Sequence, residues 1–133
     1  MSEIKVRQSL ESLGRALQRL GEALAEPAEN SLIVDGTIQR FEFVIELYWK
    51  TFKRLLAYEG VQVTTPREAL VAAYRAGWIE DESTWLRMLR DRNETSHIYD
   101  EQTARRIYDR VRQNLPALER VYHKLIERFQ GVE

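Results

Sequence analysis

Between Asp91 and Glu101 the chain reads D-R-N-E-T-S-H-I-Y-D-E, which sets a guanidinium, an amide, two hydroxyls, an imidazole and a phenol among several carboxylates. A connector between helices does not need that much hydrogen-bonding chemistry. Arginine, histidine and helix-end amides around one small space suit phosphate chemistry better than acyl transfer. An attacking hydroxyl needs a base, a developing phosphorane needs a fixed cation, and a leaving oxygen needs an acid. Arg92 and His97 are therefore the candidate catalytic pair. One imidazole cannot be base and acid in the same step, and the only other histidine, His123, falls deep in the last predicted helix. A second His97 must then come from a second copy, so a two-fold homodimer with two such junctions face to face is expected. No metal site is expected, because no other histidine or cysteine stands at ligand spacing from His97 and Asp100 alone is insufficient. The same polar run also reads as a capping network, with Asp91 or Asp100 on backbone amides and Arg92 in a surface ion pair.

On one continuous helix Arg92 and His97 would point about 140° apart, so they converge only if the helix ends between them. Asn93, Glu94, Thr95 and Ser96 are poor interior residues as a group, and a break there puts His97 in the turn ahead of the last helix, near its positive end. The rest of the chain supplies helices to hold that junction. From Glu3 to Ala25, Leu10, Leu13, Leu17, Leu20 and Leu24 step by three and four, and Pro27 ends the stripe. A second helix carries Ile38, Phe41, Ile45, Tyr48, Phe52 and Leu55 as far as Tyr58, beginning either near Ser31 with Gly36 inside it or near Asp35. It is also apolar at Phe43, Leu47 and Trp49, so it lies centrally or turns a second face to another chain.

Thr65-Pro66-Arg67-Glu68 is a capping box with proline at the first helical position, opening a short helix to about Ala76 that Gly77 closes. Asp81 or Ser83 caps a fourth helix with Trp85, Leu86, Met88 and Leu89. Asp100 or Thr103 caps the last, whose stripe runs from Ala104 to Phe129 with Pro116 inside it, predicting a kink near Asn114 and Leu115. No segment alternates well enough to be a strand. The expected fold is all-α: an antiparallel up-and-down bundle of three long and two short helices, forming one domain over residues 1–133.

At 133 residues such a domain buries a core without staples, and the absence of cysteine excludes disulfides and thiolate metal sites. No apolar run is long enough to span a membrane, and Glu3, Lys5 and Arg7 break up any leader, so a cytoplasmic protein is expected. The net charge of −1 gives no global pull on nucleic acid. Locally, Arg87 to Arg112 holds seven arginines against five acids, a bias that could track an RNA backbone or simply form a solvated face. Trp49, Trp78 and Trp85 could stack bases, although their apolar neighbours favour burial. Glu42 and Glu46 lie one turn apart but lack the histidine partners of a di-iron site.

Arg92, His97 and Tyr99 match the R-x4-H-x-Y signature of HEPN domains, and the wider string D-R-N-x-T-S-H-x-Y-D-E resembles the branch named nucleotidyltransferase substrate-binding proteins. Gln39-Arg40-Phe41-Glu42-Phe43, Glu46-Leu47, Trp49-Lys50, Pro66-Arg67, Trp85-Leu86 and Met88-Leu89 extend the resemblance over nearly the whole chain. It implies a five-helix HEPN bundle, commonly homodimeric, encoded beside a small MNT-type nucleotidyltransferase in a toxin–antitoxin-type pair. The HEPN member is a metal-independent ribonuclease in several such pairs, acting without a cofactor. Carried over, Arg92 stabilises the phosphorane, His97 moves protons, and Asn93, with Ser96 beside it, orients the phosphate or the dimer partner. Tyr99 would be the acceptor for transferred AMP. The older family name implies instead a non-catalytic subunit that helps the nucleotidyltransferase bind its substrate.

Overall fold

The computed structural model describes residues 2–95 and 100–131. Five helices run in the order α1 (Ser2–Leu24), α2 (Ser31–Tyr58), α3 (Pro66–Arg75), α4 (Glu82–Glu94) and α5 (Glu101–Arg128), and there is no strand among the described residues. This is the all-helical bundle that the hydrophobic spacing predicts, consistent with the HEPN-like bundle that the resemblance implies.

Local chemistry explains where the helices start and stop. Asn30 accepts the Leu32 amide at 2.8 Å, so α2 begins at Ser31 and Gly36 stays inside it. Thr65 accepts the Glu68 amide at 3.1 Å while the Glu68 carboxylate takes the Thr65 amide at 3.0 Å, completing the capping box. Of the alternatives offered by the sequence, Asp81 caps α4 and Asp100 caps α5. Gly60 and Gly77 follow α2 and α3 with φ of 88° and 85°, a left-handed turn that a side chain would strain. Pro116 lies inside α5, which continues as one helix to Arg128.

Helix α2 is central: it packs against α1, α3, α4 and α5. Phe41, Val44, Ile45, Tyr48, Phe52 and Leu55 on its inner face are almost fully buried. Tyr48 reaches furthest, donating its hydroxyl to the Leu118 carbonyl of α5 at 2.5 Å and meeting Trp85 edge-on with ring centroids 4.8 Å apart. Burial pushes the Tyr48 phenol well above its ordinary range, so it stays a donor. Trp78 and Trp85 belong to this core, not to a base-stacking surface, and Trp78 closes the far end against Phe129 at 5.6 Å. On the outer side of α2, Phe43 remains 59% exposed.

α1 comes close to α5 at Gly14, where an added methyl would meet the Tyr122 ring, with Cζ only 2.9 Å away. Gly14→Ala should therefore lower stability by about 1 kcal/mol despite alanine's better helix propensity. In a Tyr122→Ala background the same change should raise it by about 0.5–1 kcal/mol. Urea unfolding of the four proteins measures the sign reversal, and an equal gain in both backgrounds would refute the close approach.

The capping carboxylates also shape the acid limb of stability. Backbone amides of Thr64 and Thr65 hold Glu68 below the usual carboxylate range, the Thr84 and Ser83 hydroxyls do so for Asp81, and the Thr103 amide does so for Asp100. A depressed folded pKa contributes stability above the unfolded value, about pH 4, that is lost as pH falls through the folded values. Thermal melts from neutral pH downward should show this loss. Asp100→Asn, which keeps an acceptor at the cap, should show a shallower fall.

Candidate functional site

The last turn of α4 presents neighbouring side chains to different helices, because successive residues are rotated by about 100°. Asp91 faces inward, 3% exposed. It is held by Arg110 of α5 through two parallel hydrogen bonds of 2.9 Å, Nε to Oδ2 and Nη2 to Oδ1. Those bonds hold the Arg110 guanidinium above its already high pKa. Arg92, the next residue, turns instead to α2 and places Nη2 3.2 Å from Glu46 Oε1. One turn earlier on α2, Glu42 accepts the hydroxyl of Thr95, which also lies 2.6 Å from the Arg92 carbonyl.

Arg92 thereby lines a groove of about 720 Å³ bounded by Ala16 and Arg19 of α1, Gly36, Gln39, Arg40, Glu42, Phe43 and Glu46 of α2, and Arg92 itself. Arg40 is tied to the Arg19 carbonyl at 2.7 Å, a neutral acceptor that does not cancel its charge. Glu42 and Glu46 hold the junction, although their spacing alone shows only an ordinary helix face. Their partners lie on another helix, which no local pattern could indicate.

α4 ends at Glu94 with Thr95 as its cap, so the helix stops short of His97. Asn93 is exposed on the last turn. Ser96, His97 and Tyr99 lie outside the described residues. At the far side of the junction, Asp100 itself takes the Thr103 amide at 2.6 Å, so part of the positive end of α5 is already satisfied by the chain's own carboxylate.

Much of the arginine run has a structural role. Besides Arg110 on Asp91, Arg105 donates to the Ala28 carbonyl at 2.7 Å. Arg112 donates to the Leu24 carbonyl at 3.1 Å and lies over the Tyr108 ring. Among the described residues, no group of three potential metal-ligating side chains comes together. No described helix is long and apolar enough to cross a membrane.

The nucleotidyltransferase substrate binding protein like family matches residues 8–127. The chain belongs to that family. It is 36% identical over 84 residues to a Haemophilus influenzae protein named probable ribonuclease HepT, a match that covers 59% of this chain and 58% of that protein, so less than two thirds of its length. A crystal structure from Thermus thermophilus superposes with a TM-score of 0.79 at 30% identity, covering 85% of this chain and 98% of that one. A second solved structure, from Haemophilus influenzae and described as revealing the fold of a substrate binding domain of a nucleotidyltransferase, gives a TM-score of 0.67 at 26% identity, with 92% and 98% coverage. Family membership and fold are thus shared along nearly the whole chain.

The two halves of the Asp91–Arg110 pair are unequally placed. The Asp91 side chain is 4% exposed and the Arg110 side chain 35%. Arg110→Ala strands a charge in the core and should cost about 3–5 kcal/mol, whereas Asp91→Ala leaves a guanidinium that water can reach and should cost about 1–3 kcal/mol. Chemical denaturation of both variants checks the order; equal losses would mean that the carboxylate is better solvated than its burial implies.

Proposed function

We propose that this protein is the HEPN partner of a small MNT-type nucleotidyltransferase in a cytoplasmic toxin–antitoxin-type pair, and that as a homodimer it cuts RNA without a metal or other cofactor. The observation that carries this reading is Arg92, fixed at the end of α4 and facing an open groove, with the helix ending before His97. The name of the HepT relative supports the same chemistry. Phe43, 59% exposed beside that groove, supports an assembly in which a second copy covers the outer side of α2.

In the proposed reaction, one His97 takes the proton from the RNA 2′-hydroxyl, whose oxygen forms a bond to phosphorus. Arg92 balances the charge of the phosphorane. The bond to the 5′-oxygen then breaks as His97 of the second copy supplies a proton, leaving a cyclic phosphate and a free 5′-hydroxyl. Asn93 and Ser96 orient the phosphate or the partner copy. AMP placed on Tyr99 by the nucleotidyltransferase silences the site by adding an anion where substrate phosphate must lie. The description of the Haemophilus influenzae structure favours another reading, in which the chain is a catalytically silent subunit that binds substrate for the nucleotidyltransferase.

Incubation of purified dimer with total RNA separates the two. Cleavage should survive chelators and fall by about 100-fold or more in Arg92→Ala and in His97→Ala. An active monomer would overturn the composite site. Absence of cleavage together with tight binding to the nucleotidyltransferase would establish the subunit reading.

A further inference from the structure

The carboxylate that meets Arg92 is itself held from several sides. Glu46 Oε2 accepts the indole N–H of Trp49 at 3.1 Å and lies 3.6 Å from Lys50 Nζ, which leaves Oε1 for Arg92 at 3.2 Å. Trp49 is half-buried and packs against the core, so it gives Glu46 a fixed anchor on its own helix. Arginine carries five N–H donors in a rigid fork. Among the described residues, the ion pair of Arg92 runs through Nη2 and engages one edge of that fork. One turn away, Glu42 holds Thr95 in the same manner, so two α2 carboxylates grip the last turn of α4.

We infer that Glu46 is a positioning residue for Arg92, holding the guanidinium over the groove so that its remaining N–H groups meet an incoming phosphodiester. The inference rests on the proposed role of Arg92 as the phosphate-binding cation. Position is what the contact supplies: a side chain of many rotamers, 33% exposed, would otherwise sample solvent, and misplacing a catalytic group by about 1 Å can cost on the order of 100-fold in rate. The opposing possibility is that Glu46 acts as a brake, competing with phosphate for the guanidinium. The two differ in sign. Glutamine keeps an oxygen acceptor for Arg92 and removes the charge, whereas alanine removes both.

The test compares Glu46→Ala and Glu46→Gln in steady-state cleavage of a short RNA, with thermal unfolding as a control for folding. Positioning is supported if alanine lowers kcat by about 10- to 100-fold with KM changed far less, while glutamine retains most of the wild-type kcat. Faster cleavage by the glutamine variant, or a wild-type kcat in both, overturns it. If the alanine variant does not fold, Glu46→Asp, one methylene short of reach, takes its place and should show the same loss. Side-chain NMR of isotope-labelled arginine gives a readout free of activity. The Arg92 Nε–H should be ordered in the wild type and the glutamine variant and mobile in the alanine variant, and identical signals in all three overturn the inference. A wild-type protein that cuts no RNA defeats the ribonuclease reading alone, and the NMR comparison still decides the role of Glu46.

Discussion

A carboxylate that is almost wholly removed from water needs a cation and hydrogen-bond donors to offset its lost hydration. Asp91 is such a group, and Arg110 meets it with both arms of its fork. This pairing ties the end of α4 to α5, so the two helices that flank the 96–99 segment keep a fixed relation. The rotation of the helix then decides the rest. With Asp91 turned into the bundle, Arg92 has to project toward α2, where Glu46 and the groove lie.

The arginine bias has a physical use that is mostly internal. A helix C-terminus leaves carbonyls without partners. α1 has no basic residue in its last turn, and Arg112 reaches across from α5 to its Leu24 carbonyl. Arg105 does the same for Ala28 in the link that follows, and Arg40 donates to the Arg19 carbonyl inside α1. A planar guanidinium suits this role because it offers several donors at once while its stem lies along apolar surface. Arg92 differs from these three in that its carboxylate partner lies at the edge of a groove.

Helix α2 links architecture to site. Its inner face carries the aromatic centre of the bundle, with Tyr48 bonded into the backbone of α5, and this fixes its rotation about its own axis. Once that rotation is set, Glu42, Phe43 and Glu46 must face outward toward the end of α4. The same helix thus builds the core with one side and the groove with the other. Family membership along nearly the full chain accords with this economy, since little of the molecule lies outside the framework that holds the groove.

The helices themselves are written locally: the leucine stripe of α1, the threonine–proline–glutamate start of α3 and the glycines after α2 and α3 all act within one or two helical turns, where chain geometry settles the outcome. The polar signature and the family resemblance were legible for the same reason, because they are local strings. Which acid meets which arginine was decided only in the folded chain. Asp91 finds Arg110, Glu46 finds Arg92, and Arg112 turns its donors to Leu24, each across a distance in sequence that no periodicity encodes. Glu42 and Glu46 look like any exposed helix pair until α4 is laid against them. Charge pairing depends on approach in space, and approach is settled by how the apolar faces pack.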